Sequence, residues 1–107
     1  MIIVTTSSVA GSTVTESLGL VRGSSIRSRH AGSSLIASLR HLAGGELFEY
    51  TKLLAEAREQ AIDRMIVEAK ALGADAVVGM RFQSAEVSRA AAEMIAYGTA
   101  VKLELAP

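Results

Sequence analysis

The chain has no cysteine and no tryptophan among its 107 residues. Without thiols it forms no disulfide framework and offers no thiolate to a soft metal. Its aromatic residues are Phe48, Phe82, Tyr50 and Tyr97, and its one proline is Pro107. There is also no excess of either charge sign, since 11 basic side chains balance 11 acidic ones. That balance argues against a general nucleic-acid binder, whose affinity needs a cationic surface. No apolar run approaches the ~20 residues of a membrane span. Thr5-Thr6-Ser7-Ser8 ends the apolar start at once, with no basic region before it, so no secretory signal is expected and cytoplasm is the expected compartment.

What the chain has is alanine, 18 of them, within a hydrophobic half. The length suits one domain, residues 1 to 107. A core built from alanine is thin, because each buried methylene contributes only ~0.8 kcal/mol. Subunits that pool apolar surface are one solution.

Hydrophobic periodicity orders the elements. Ile2 to Thr5 reads as a short strand, and Val9 to Ser12 as a turn around Gly11. Thr13 to Ile26 alternates with period two, placing Val14, Leu18 and Leu20 on one face. Gly19 and Gly23 in that strand mark a bulge or a close backbone approach. Ser33 or Ser34 can cap a short helix, Leu35 to Ala43, ended by Gly44-Gly45. A long helix follows from Glu46 to Leu72, stopped by Gly73. At about 100° per residue its inward stripe is Leu47, Leu54, Ala61, Met65, Ala69 and Leu72.

Asp75 to Ser84 alternates again, with Ala76, Val78, Met80 and Phe82 on one face. Residues 85 to 92 fit either a wide hairpin connection or a helical turn. Glu93 to Leu105 is a last strand, apolar on its odd positions and apolar or tiny at Met94, Ala96, Gly98 and Ala100. A strand apolar on both faces needs cover on both. The expected fold is α+β: a small, largely antiparallel sheet packed by one short and one long helix, in the order β-β-α-α-β-β. A second copy of the chain is the natural cover for the other face.

Two charges sit where apolar residues are expected. Arg58 falls within the helix stripe, and Glu16 interrupts the second strand. Buried charges need partners, so the two are candidates for a partly buried ion pair with each other. Arg58 can also snorkel. Arg22, Arg58, Arg81 and Tyr97 are candidates for ligand or inter-subunit contacts. Residues 22 to 41 hold four arginines and no acid, whereas residues 42 to 63 hold five acids and two bases. This contrast suits complementary packing between copies or the collection of a small anion.

Chemistry is thinly signalled. His30 and His41 are the imidazoles, eleven positions apart and without ligand spacing. No nucleophile elbow frames any serine, and no phosphate loop or dinucleotide glycine pattern is present. The reading is no catalytic residues, no metal ligands, no cofactor, and no enzyme. Asp75 most simply accepts backbone hydrogen bonds at a strand entrance.

Several runs together resemble one family: Thr5-Thr6, Leu20-Val21-Arg22-Gly23, Gly44-Gly45, Glu56-Ala57-Arg58-Glu59-Gln60-Ala61, Gly73-Ala74-Asp75-Ala76-Val77-Val78-Gly79 and Tyr97-Gly98-Thr99-Ala100-Val101. They are similar to the YbjQ-like family, which carries a heavy-metal-binding label. The resemblance implies a dodecin-like α+β fold assembled as a ring-shaped homopentamer, and no catalytic residues. Dodecin-like relatives bind flavin, but this chain has no tryptophan to stack on one. The metal label meets a chain without thiolates.

Overall fold

The computed structural model describes residues 1–28, 44–88 and 91–106. The elements run β1 (Ile2–Ile3), β2 (Ser12–Ser28), α1 (Gly44–Ala71), β3 (Ala76–Ser88) and β4 (Ala91–Leu105). The strands form one mixed sheet in the order β1-β3-β4-β2. β1 pairs parallel with β3, and β4 pairs antiparallel with both β3 and β2. The fold is α+β, as the alternation and the helix period predict. The expected short helix over 35–43 lies outside the described residues.

α1 ends where Gly73 predicts. The Gly73 amide donates to the Lys70 carbonyl (3.0 Å) and the Ala74 amide to Ala69 (3.1 Å). Gly73 takes a φ of 77°, the left-handed cap that favours glycine. The buried face of α1 is Ala57, Ala61, Met65 and Ala69, a run at intervals of four. It is narrower than the predicted stripe: Leu54 is half-buried and Leu72 is 45% exposed. α1 lies over β2 and β4 and barely reaches β3.

Small residues let the two layers close up. A Cβ at Gly23 would overlap the Ala61 carbonyl oxygen and the Met65 amide nitrogen. This is the close backbone approach that a glycine within a strand predicts. Val21, Val77, Met80, Ala96 and Ala100 complete the cluster under α1. Deep within this contact Ser25 is fully buried, and its hydroxyl donates to Gln60 Oε1 at 2.7 Å.

The opposite face carries a second cluster of Ala76, Val78 and Val101, packed by Val4, Val9, Val14 and Leu103. The turn at Val9 to Ser12 forms as expected: Ser12 donates to the Val9 carbonyl at 3.1 Å, and Gly11 has a φ of 80°.

Two face assignments need correction. In β2, register shifts fall between Val14 and Glu16 and between Ser17 and Gly19. Each inserts one extra residue and reverses the alternation. Val14 therefore joins the second cluster while Leu18 packs under the helix. In β3, a shift between Val78 and Arg81, with Gly79 at a φ of 61°, has the same effect. Ala76 and Val78 point away from α1, but Met80 points toward it. β4 shows the predicted two apolar faces, with Ala96 and Ala100 under α1 and Val101 opposite. The described residues of this stretch, 85–88 and 91–92, continue the ladder: Ser88 pairs with Ala91.

Candidate functional site

The bulges bring three of the four candidate contact residues into one row. Tyr97 of β4 is the register partner of Arg22 in β2 and also of Arg81 in β3. The neighbouring rows are Leu20, Thr99 and Val78 on one side, and Ser24, Ile95 and Gln83 on the other. Val21 and Ala96, next to the row along their strands, lie under α1. The row therefore stands on the face away from the helix, because strand side chains alternate. Arg22 and Arg81 are exposed and Tyr97 is half-buried.

The two arginines are held differently. Arg81 Nη1 donates to the Thr5 carbonyl at 2.9 Å and to its neighbour Met80 at 2.8 Å. Both acceptors are uncharged, so they fix the side chain without neutralising it. The Arg22 backbone N–H donates to Glu68 Oε1 at 3.3 Å, from the outer edge of β2. Arg64, one helical turn earlier, donates to the Ser24 carbonyl at 2.6 Å on the same edge. Two helix side chains thus occupy main-chain groups that an edge strand would otherwise offer to another strand.

Arg58, the fourth candidate, is exposed on α1 and belongs to no such row. It does not meet Glu16. Glu16 is exposed and lies opposite Lys102 near the Gly73 end of the helix, whereas Gln60, close to Arg58, lies at Ser25. Nine residues of strand separate those two places, ~30 Å at the strand rise. The bulge at Thr15 turns Glu16 to the face opposite Val14, out of the apolar row in which strict alternation would place it. Arg58 has its head in solvent, where a long cationic side chain on a helix flank belongs.

Asp75 sits at the entrance to β3 as its residue type predicts. Its Oδ2 accepts the Leu103 amide at 2.8 Å, and its own amide donates to Val101 at 2.9 Å. His30 and His41 lie outside the described residues. Among the described residues, no three His, Asp or Glu side chains gather where a metal ion could be held. A chain without thiolates does not fit a soft metal. Among the described residues no helix is long and apolar enough to cross a membrane.

Sequence reasoning singled out Arg22, Arg81 and Tyr97 but did not bring them together, because their register depends on Gly19 and Gly79. It did not find Arg64 and Glu68, whose spacing of four was legible but whose target was not.

Comparison with known proteins gives a consistent picture. A family described as "putative heavy-metal-binding" (YbjQ) matches residues 1–104. A UPF0145 protein of Methanosarcina acetivorans is 52% identical over 103 residues, covering 96% of this chain and 97% of that protein. One from Clostridioides difficile is 54% identical over 104 residues, covering 97% and 93%. The fold is shared with a crystal structure from Pediococcus pentosaceus, a protein of unknown function in the DUF74 family. That match has a TM-score of 0.64 at 20% identity and covers 97% of this chain and 98% of the other. Together these matches show that the chain belongs to the uncharacterised YbjQ (UPF0145) family.

Proposed function

We propose that this chain works as a homo-oligomer, a non-enzymatic scaffold or interaction protein whose core is completed between copies. The observation that carries the reading is the side of the sheet that α1 does not cover and that, among the described residues, leaves large apolar side chains exposed. β4 is apolar on both faces, and α1 covers one. On the other face Leu20 is 65% and Ile26 61% exposed. Phe82, on the helix side but beyond the reach of α1, is 41% exposed. Apolar groups spread over long strands in this way mark a surface that another chain covers.

The dimensions support the same reading. The accessible surface is 6745 Å², where size scaling gives a folded monomer of this length ~5,700 Å². The excess of ~1,000 Å² is near the ~800 Å² that each partner contributes to a standard interface. The radius of gyration is 17.4 Å, against ~13 Å for a compact chain of similar length. A second copy is the occupant these numbers favour, since one chain buries too little alone. The family resemblance implies a ring of five.

Size-exclusion chromatography with light scattering, on protein purified without a tag, tests the proposal. A mass that is a multiple of the chain mass at micromolar concentration supports it. A monomer at every concentration overturns it.

A second reading is an oligomer that binds a small anion or a metal ion at subunit junctions, and the two arginines that flank Tyr97 favour its anion form.

A further inference from the structure

We propose that the row Arg22, Tyr97 and Arg81 binds a phosphate group on the sheet face away from α1. The inference sharpens the anion reading above. All three residues belong to one chain but share the face proposed for self-association, so binding and oligomer mass are measured separately on each variant.

The row presents donors without acceptors. Among the described residues, neither the Arg22 guanidinium nor the Tyr97 hydroxyl makes a hydrogen bond or ion pair. Arg81 spends Nη1 on two main-chain carbonyls, which leaves Nη2 and Nε as donors on a side chain already held in place. Holding a guanidinium before its ligand arrives lowers the ordering cost of binding. Cross-strand neighbours stand ~5 Å apart at Cβ, so the two arginines flank the tyrosine at ~10 Å from each other.

The nearby carboxylates have other work. Glu93 lies on the same face two register rows away, where its Oε2 accepts the Ser24 hydroxyl at 2.7 Å. Glu68 sits at the β2 edge and accepts the Arg22 main-chain N–H. The face around Tyr97 therefore carries a net positive charge. Two guanidinium forks and a phenol suit a tetrahedral oxyanion, which offers several acceptors and a full negative charge. A structural role alone would give the Arg22 guanidinium a protein acceptor, as Arg64 has in the Ser24 carbonyl.

The experiment is a titration of isotope-labelled protein with inorganic phosphate at constant ionic strength. It is followed by amide shifts at residues 22, 81 and 97, with chloride as control. A parallel titration with adenosine monophosphate separates free phosphate from a phosphate monoester as the preferred source. The expected result is saturable shifts at all three positions with phosphate or the monoester, and none with chloride. Arg22→Ala should weaken binding about tenfold, the loss of a charged hydrogen bond, and Tyr97→Phe about threefold. Arg22 is exposed and Tyr97 half-buried, and neither belongs to a core cluster, so both variants should keep the native circular dichroism spectrum. Arg81 also straps Thr5 and is left intact. Shifts that fail to saturate, that chloride reproduces, or that persist unchanged in both variants overturn the proposal.

Discussion

Gly23 of β2 lies against the carbonyl of Ala61 in α1, so closely that no side chain can stand between them. Strand and helix backbones touch there, and both partners are rigid. Gly23→Ala should therefore cost about 3 kcal/mol, the upper end for overpacking, since no flexible side chain can yield. Gly98→Ala should cost less. Its Cβ would stand 2.6 Å from Val77 Cγ1, which can rotate, and 3.0 Å from the Val78 carbonyl. Gly11→Ala meets nothing within 4 Å and should cost only the ~1 kcal/mol of a left-handed backbone. Urea midpoints at one protein concentration give the order. If Gly23→Ala were as mild as Gly11→Ala, the close approach would be wrong.

Arg64 and Glu68 guard the edge of β2. Each hydrogen bond is worth about 1 kcal/mol. The larger effect of losing both should be on association, because open main-chain donors and acceptors invite another strand. The Arg64→Ala, Glu68→Ala double variant should scatter light sooner than wild type on heating. Equal onset in the two proteins would show that the contacts do not protect the edge.

Leu20→Asp and Ile26→Asp discriminate between a monomer and an assembly. Both residues are largely exposed within one chain, where a surface change costs at most about 0.5 kcal/mol. If copies cover this face, each variant should shift the light-scattering mass toward smaller species while retaining secondary structure. A mass unchanged in both would place the shared surface elsewhere, with Phe82→Asp as the next variant.

Asp75 joins two strands through a main-chain amide. Asp75→Ala removes the acceptor for Leu103 N–H and should cost about 1 kcal/mol, modest because the group is exposed. Asp75→Asn keeps an acceptor and should recover most of that loss in the same urea titration. No difference between the two variants would assign Asp75 no role at the strand entrance.

The legibility of this fold divides strand by strand. In β4 the odd and even positions of the sequence are the two faces of the strand, because regular alternation needs nothing else. In β2 and β3 the same rule places Val14 with Leu18, and Val78 with Met80, although each pair is split across the sheet. Gly19 and Gly79, at positive φ, accompany two of the three reversals, while the one at Thr15 has no glycine; and composition does not say whether a glycine in a strand carries a bulge, a close contact or neither. Gly19 and Gly23 show both outcomes four residues apart. The helix was legible through its cap and its alanine stripe, but its width was overread. Helical periodicity reports which residues are apolar and not how far the sheet beneath extends. The candidate row was the least legible feature, since Arg22, Arg81 and Tyr97 are distant in sequence and meet only after all three bulges are counted.

The strand order has a consequence for how the chain is made. β1 pairs with Ala76 and Val77, and β2 pairs throughout with β4. On a ribosome both early strands therefore emerge long before their partners, while α1 can form from local contacts alone. Loop closure on this scale is slow, and unpaired strands are open to the wrong neighbour in the meantime. The apolar residues of β2 must wait through most of synthesis. Translation speed between residues 28 and 91, and chaperone access over that interval, should bear on yield more than the stability of the finished protein does.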